Sequence, residues 1–163
     1  MDKRTPLPHK IGIRSAARRD LDTLYQIYLE GALDERRLQY PKKTLQQLRR
    51  ELRREQERMR RTFRAELAQK RCFWPVALVG NTIAGFGQAF VHGGRGRIGR
   101  VYIRRAFRRR GIATALLTQL LSELKRRRVK DVRSSVMSRN SPSLRLHRKF
   151  GFRIERYKLV KDL

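Results

Sequence analysis

The sequence predicts a single mixed α/β domain, on three observations. Its 163 residues, 39% of them hydrophobic, suffice for one sizeable core and little more. Apolar residues recur at helical spacing in some stretches and run or alternate like strands in others. Those stretches follow one another as β-α-α-β-β-β-α-β-α-β, without internal repeats.

Residues 1–9, with Pro6 and Pro8 among basic groups, are expected to form an irregular arm ahead of a domain at 10–163. The first strand lies in HKIGIR, where Ile11 and Ile13 share a face. Asp20 is placed to cap a helix whose apolar positions Leu21, Leu24, Tyr25 and Tyr28 follow the i, i+3, i+4, i+7 rule. Pro41 separates it from an extended basic helix at 44–68. There Leu45, Leu48, Leu52, Met59, Phe63 and Leu67 make a narrow apolar stripe suited to core packing. Glu55 and Thr62 interrupt the heptad a coiled coil would need. The other faces carry Arg49, Arg50, Arg53, Arg54, Arg58, Arg60, Arg61 and Arg64.

From Cys72 the period changes. FWPVALV, a Gly80-Asn81 turn and TIAGFGQAFV read as a hairpin. His92-Gly93-Gly94 turns the chain into a third adjacent strand, RIGRVYI. An arginine-rich loop, RRAFRRR, leads to Gly111 and a helix with Ile112, Leu116, Leu120 and Leu124 on one face, broadened by Ala115, Leu117 and Leu121. VKDVRSSVM is the next strand. Ser141 as N-cap and Pro142 at the first helical position open a short helix. Gly151 ends it, and FRIERYKLV is expected to finish the sheet.

Lys+Arg number 42 against 14 Asp+Glu, a net charge of +28. Self-repulsion at that charge points to a polyanionic partner. Arginine makes up 32 of the 42, and its planar fork suits phosphate. Nucleic acid is therefore favoured over an indifferent basic surface, and over anionic membrane, since no basic helix carries a broad Trp/Phe/Leu face. No apolar stretch approaches the roughly 20 residues of a membrane span, and no signal-peptide core opens the chain. Cys72 is the single cysteine, which excludes an internal disulfide and any zinc site built on paired cysteines. No metal is expected, and the expected compartment is cytoplasmic.

The stretch Arg108-Arg109-Arg110-Gly111-Ile112-Ala113 joins a strand to an amphipathic helix, where free N–H groups and the positive end of the dipole await an anion. Small residues at 111 and 113 let that anion approach the main chain. Downstream, after a strand, comes NSPSLRLHRKFGF, from Asn140 to Phe152. Together these resemble the GNAT superfamily of acyl-CoA-dependent N-acetyltransferases, whose signatures are Q/R-x-x-G-x-G/A and, later, N-x-x-A…Y-x-x-x-G-F. The likeness runs over nearly the whole chain. It implies a mixed, mainly antiparallel sheet flanked by helices, and acetyl-CoA as the cofactor. By that resemblance Arg108, Arg109, Arg110, Gly111, Ile112 and Ala113 hold the coenzyme A pyrophosphate. The main chain of Val101, Tyr102 and Ile103 pairs with the pantetheine arm, and Asn140 lines the cleft.

Acetyl transfer needs a neutral amine and a group that protonates the departing thiolate. Many GNAT members place a glutamate near the strand before the phosphate loop, but this chain has no Asp or Glu between Glu66 and Glu123. The family's usual tyrosine acid falls on His147, the candidate catalytic residue, weighed against a packed or surface histidine. Tyr102 and Tyr157 are reserve acids, and His92 a less favoured relay. Lacking a carboxylate base, the protein suits an α-amine, with a pKa near 8, better than a lysine near 10.4. A positive cleft disfavours polyamines and aminoglycosides. The leading expectation is thus an N-acetyltransferase for a protein N-terminus, bound to the ribosome or other RNA. The rival is a GNAT-fold RNA-binding scaffold without catalysis, and a DNA-binding regulator is the third choice.

Overall fold

The computed structural model describes residues 10–158, so the arm at 1–9 and the last five residues lie outside it. The elements are β1 (Ile11–Ser15), α1 (Leu21–Gln39), α2 (Leu45–Leu67), β2 (Cys72–Phe73), β3 (Pro75–Val79), β4 (Thr82–His92), β5 (Arg95–Ile103), α3 (Ile112–Arg126), β6 (Val132–Ser134) and α4 (Ser141–Lys149). The strands form one sheet in the order β1-β3-β4-β5-β6, with β2 continuing the β3 side of β4. All pairs are antiparallel except β5–β6. The two-residue Gly80-Asn81 turn joins Val79 to Thr82 as expected, with Gly80 at φ +59.

Helices α1 and α2 cover one face of the sheet. Their core is aromatic: Phe63 of α2 meets Tyr25 and Tyr28 of α1, Trp74 between β2 and β3, and Phe86 of β4. Leu48, Leu52 and Phe63 are buried and Met59 and Leu67 half-buried, but Leu45 at the head of the stripe is exposed. Helix α3 covers the other face with Ile112, Leu116, Leu117, Leu120 and Leu124.

Three local expectations are corrected. Asp20 stands at the N-cap of α1 but caps nothing, because a 3-10 turn at Arg18–Asp20 leads into the helix. Its carboxylate accepts instead from Arg14 and the Ala17 N–H. Asn140, not Ser141, caps α4; its Oδ1 accepts from the Ser143 N–H at 3.2 Å. The strand expected over 129–137 shrinks to Val132–Ser134, and the described residues 152–158 of the expected last strand form none. Polar and charged residues alternate through RIERYK without a continuous apolar face, and Ile154 and Tyr157 are exposed.

Candidate active site

The parallel pair β5–β6 sets the site. Its register runs through Gly96↔Val132, Arg97↔Arg133 and Ile98↔Ser134 and then stops, while β5 continues to Ile103. From Gly99 onward, the β6-facing edge of β5 pairs with no strand among the described residues. A β-bulge marks the parting: Gln88 pairs with Arg100 and Ala89 with Ile98, leaving Gly99 as the extra residue. A Cβ at Gly99 would lie 2.0 Å from Gln88 Oε1, so the buried Gln88 amide fills that space. Neither amide atom has a hydrogen-bond partner among the described residues.

On the α1 side of this parting lies a cavity of about 320 Å³, walled by α1, by Gly99 and Tyr102 of β5, and by Ser135–Met137, Asn140 and Ser143. Its chemistry centres on Glu35. The Tyr102 hydroxyl donates to Glu35 Oε2 at 2.9 Å. Burial pushes the Glu35 carboxyl above the usual carboxylate range, against the lowering effect of the Tyr102 bond. Burial and the adjacent carboxylate push the Tyr102 phenol upward, so it remains a donor. Gly31, one turn before Glu35, makes the pair possible. A Cβ there would fall 2.1 Å from Tyr102 Cδ1, so only glycine lets the ring lie against the helix. At the cavity's edge Arg36 is held by Glu51 and Glu55 of α2, at 3.2 and 2.7 Å.

The phosphate loop has the backbone an anion site needs. Gly111, the N-cap of α3, stands at φ +77; among the described residues nothing lies within 4 Å of where a Cβ would be, and no side chain caps the helix. The N–H groups of that first turn are left without an intrahelical acceptor. Arg109 also takes a positive φ, +65. The side chains of the loop divide. Arg110 lies over the Phe107 ring, Ile112 turns into the core, and Ala113 is half-buried. Arg108 is committed elsewhere: its Nη2 donates to Asp34 at 2.7 Å and its Nε to the Ile103 carbonyl at 3.1 Å. Along β5, Val101 and Ile103 pack toward α3, and Tyr102 toward α1.

Similarity searches place this geometry. A family model described as the acetyltransferase (GNAT) family matches residues 29–152. The chain belongs to that family. Among solved structures, it resembles PaiA N-acetyltransferase from Thermoplasma acidophilum in complex with coenzyme A, at TM-score 0.74 and 19% identity over 91% of this chain and 93% of that one. It also resembles a predicted acetyltransferase with acetyl-CoA from Clostridium acetobutylicum, at TM-score 0.66 and 20% identity over 94% and 96%. A third is ribosomal-protein-alanine N-acetyltransferase from Brucella melitensis biovar Abortus 2308, at TM-score 0.65 and 14% identity over 94% and 99%. At such identities these likenesses show the fold. No curated protein matches.

Within this GNAT fold the sequence-based candidates fall into separate places. Tyr102 and Asn140 line the cavity. His147 is buried and is not on the cavity wall. Its Nδ1 lies 2.8 Å from the Ser143 carbonyl and must donate to it, while Nε2 meets Ser134 Oγ at 2.9 Å. The Phe152 ring packs edge-on against it. His92 is exposed at the β4–β5 turn, and Tyr157 is exposed. Among the described residues, no group of three or more His, Cys, Asp or Glu could hold a metal ion.

Glu35 is the site residue that sequence reasoning missed. The family resemblance points to a carboxylate near the strand before the loop, whereas the fold brings one from α1. A signal was present. Leu24, Tyr28 and Gly31 define the buried stripe of α1, and Glu35 continues it at the i+4 position.

Proposed function

We propose that this protein transfers the acetyl group of acetyl-coenzyme A to an amine, with Glu35 as the proton acceptor. The observation that carries this reading is the Glu35–Tyr102 pair on the wall of the cavity where β5 and β6 part. The residues fit the coenzyme. The first turn of α3, uncapped and open at Gly111 among the described residues, and the charges of Arg109 and Arg110, which have no ion-pair partner there, suit a pyrophosphate. The edge of β5 beyond Gly99, which pairs with no strand among the described residues, suits an amide-bearing arm, and the Gln88 amide, without a hydrogen-bond partner among those residues, lies behind Gly99. Bound there, acetyl-coenzyme A supplies an activated acyl group.

The chain's own side chains manage the protons. A carboxylate raised by burial is a stronger base than an exposed one, and Glu35 must be ionised to take the ammonium proton. Tyr102 holds Oε2, which leaves Oε1 to face the amine. For the departing thiolate we favour the Glu35–Tyr102 pair, which holds a proton once Glu35 has taken one from the amine, over His147, which is not on the cavity wall and whose ring nitrogens are engaged by the Ser143 carbonyl and Ser134 Oγ. A carboxylate in place also weakens the rival reading of a non-catalytic scaffold. It removes the argument for an α-amine from a missing base. The protein N-terminus now rests on its pKa, which is nearer to that of a carboxylate than a lysine's is.

The proposal extends to an RNA-rich partner, the ribosome included. Arg49, Arg50, Arg53, Arg54 and Arg64 of α2 are exposed and form no ion pair among the described residues. Gradient sedimentation of cell extract, with and without ribonuclease, tests that association. Calorimetric titration with acetyl-CoA and a thiol-release assay over peptide α-amines, lysine and polyamines test the activity. Gly111→Val should weaken acetyl-CoA at least tenfold, about 1.4 kcal/mol. Undiminished affinity in that variant, or no thiol release with any amine, overturns the reading.

A further inference from the structure

We propose that Asp34 is a positioning residue, fastening the phosphate loop to the helix that carries Glu35 so that an anion bound in the loop is felt at the cavity. The inference rests on the acetyl-CoA reading above and adds a physical link between its two halves. The Asp34 carboxylate accepts from Arg105, and from Arg108 at 2.7 Å. One turn earlier on α1, Glu30 accepts the Arg105 backbone N–H at 3.1 Å. Arg108 closes the circuit through its bond to the Ile103 carbonyl, at the end of the strand that bears Tyr102. Tyr102 in turn reaches back across to Glu35. Two successive turns of α1, the loop and the end of β5 are thus joined by four kinds of bond.

The charge arithmetic of the loop gives the link a purpose. Residues 104–110 hold five arginines and no acid, so the loop repels itself and needs an anion to stay compact. Asp34 neutralises part of that charge without occupying the anion site. Arg105 and Arg108 turn toward α1, while Arg109 and Arg110, with no ion-pair partner among the described residues, are left for the ligand. An isolated surface ion pair would contribute little. Here one half-buried carboxylate meets two guanidinium groups, and the backbone bond to Glu30 fixes the loop from a second point.

The test turns on a sign. If Asp34 acts only through its charge, Asp34→Asn removes a negative group near an anion site and should tighten coenzyme A. If it fastens the loop, the same variant should weaken coenzyme A about fivefold or more, with Asp34→Glu recovering part of the loss. Calorimetry with coenzyme A itself reads this. Hydrogen exchange reads the coupling: coenzyme A should slow exchange over residues 30–36 in the wild type, and only around the loop in Asp34→Asn. Equal or tighter binding by Asp34→Asn overturns the proposal, as does wild-type α1 exchange that ignores coenzyme A. If the wild type binds no coenzyme A, the acetyl-CoA reading itself fails, and the latch with it.

Discussion

Helices α1 and α2 lie side by side on one face of the sheet and use charge in opposite ways. Every carboxylate of α1 from Glu30 to Glu35 is engaged: Glu30 and Asp34 by the phosphate loop, Glu35 by Tyr102. In α2, Glu51 and Glu55 turn inward to Arg36, and five exposed arginines form no ion pair among the described residues. In a chain of net charge +28, the acids of α1 from Glu30 to Glu35 are thus all engaged, while five of the eight arginines of α2 stay exposed without an ion pair among the described residues. Net charge describes the outside of this molecule and says little about its cavity.

The sharpest way to break that contrast is at Glu35. Glu35→Gln keeps the shape and the Tyr102 contact but removes the base, and general-base loss typically costs about a hundredfold to ten-thousandfold in rate. Steady-state kinetics at neutral pH should show the fall in kcat, with coenzyme A affinity retained. Because burial raises the Glu35 pKa, wild-type rate should climb with pH through a value above the ordinary carboxylate range. That limb should vanish in the variant. The same raised pKa means the folded state holds this proton more tightly than the unfolded one. Glu35's contribution to stability is thus present below the unfolded carboxyl's pKa and lost as pH rises through the folded one. A Gln variant with wild-type turnover would return α1 to a purely structural role.

Gly31→Ala comes next in size. Alanine is the better helix former by about 1 kcal/mol, but its Cβ would strike the Tyr102 ring. Overpacking costs about 1–3 kcal/mol, so a lower melting temperature and a reduced kcat should appear together. A rise in melting temperature with full activity would mean that the ring has room to move.

His147→Phe asks a narrower question. The ring's two hydrogen bonds and its contact with Phe152 suggest a loss of about 1 kcal/mol in stability, with kcat falling less than about threefold. A drop of a hundredfold at unchanged KM for acetyl-CoA would instead make His147 the acid, since proton donation matters only in the transition state.

Much of the frame was legible in the sequence because it depends on neighbours in the chain. The Gly80-Asn81 turn, the stripe through Leu48, Leu52 and Phe63, and the glycine at the mouth of α3 each announce themselves locally. What was missed depends on residues far apart. Glu35 meets Tyr102 across 67 positions and Arg108 meets Asp34 across 74, so no motif records either pair. Arg108 shows the limit well. Its place in the R-x-x-G-x-A pattern suggested a phosphate ligand, but a pattern does not give the direction of a side chain. The last strand failed for another reason. In FRIERYK the apolar alternation of Phe152 and Ile154 gives out at Arg156, and edge pairing also depends on what the neighbouring strand leaves free, where β6 is three residues long.

The smallest effect on the fold, and the one that most sharpens the contrast between the helices, is expected at the outer face of α2. Reversing Arg50, Arg54 and Arg64 to glutamate touches no buried residue and breaks no ion pair among the described residues. The Thr44–Gln47 capping box and the buried stripe stay intact. Surface changes of this kind normally alter stability by no more than about 0.5 kcal/mol, so melting should hardly move. The proposed RNA binding should respond strongly. Each arginine that neutralises a phosphate releases condensed counterions and adds roughly 0.7–0.9 to the logarithmic salt slope. Losing three such contacts should flatten the slope by about 2–3 and weaken binding alike across unrelated RNA sequences. Affinities measured for both proteins over a salt series give the two slopes directly. Coincident slopes would show α2 to be a solvated face, and the phosphates would then have to be held elsewhere, with Lys125–Arg128 at the end of α3 the next segment to reverse.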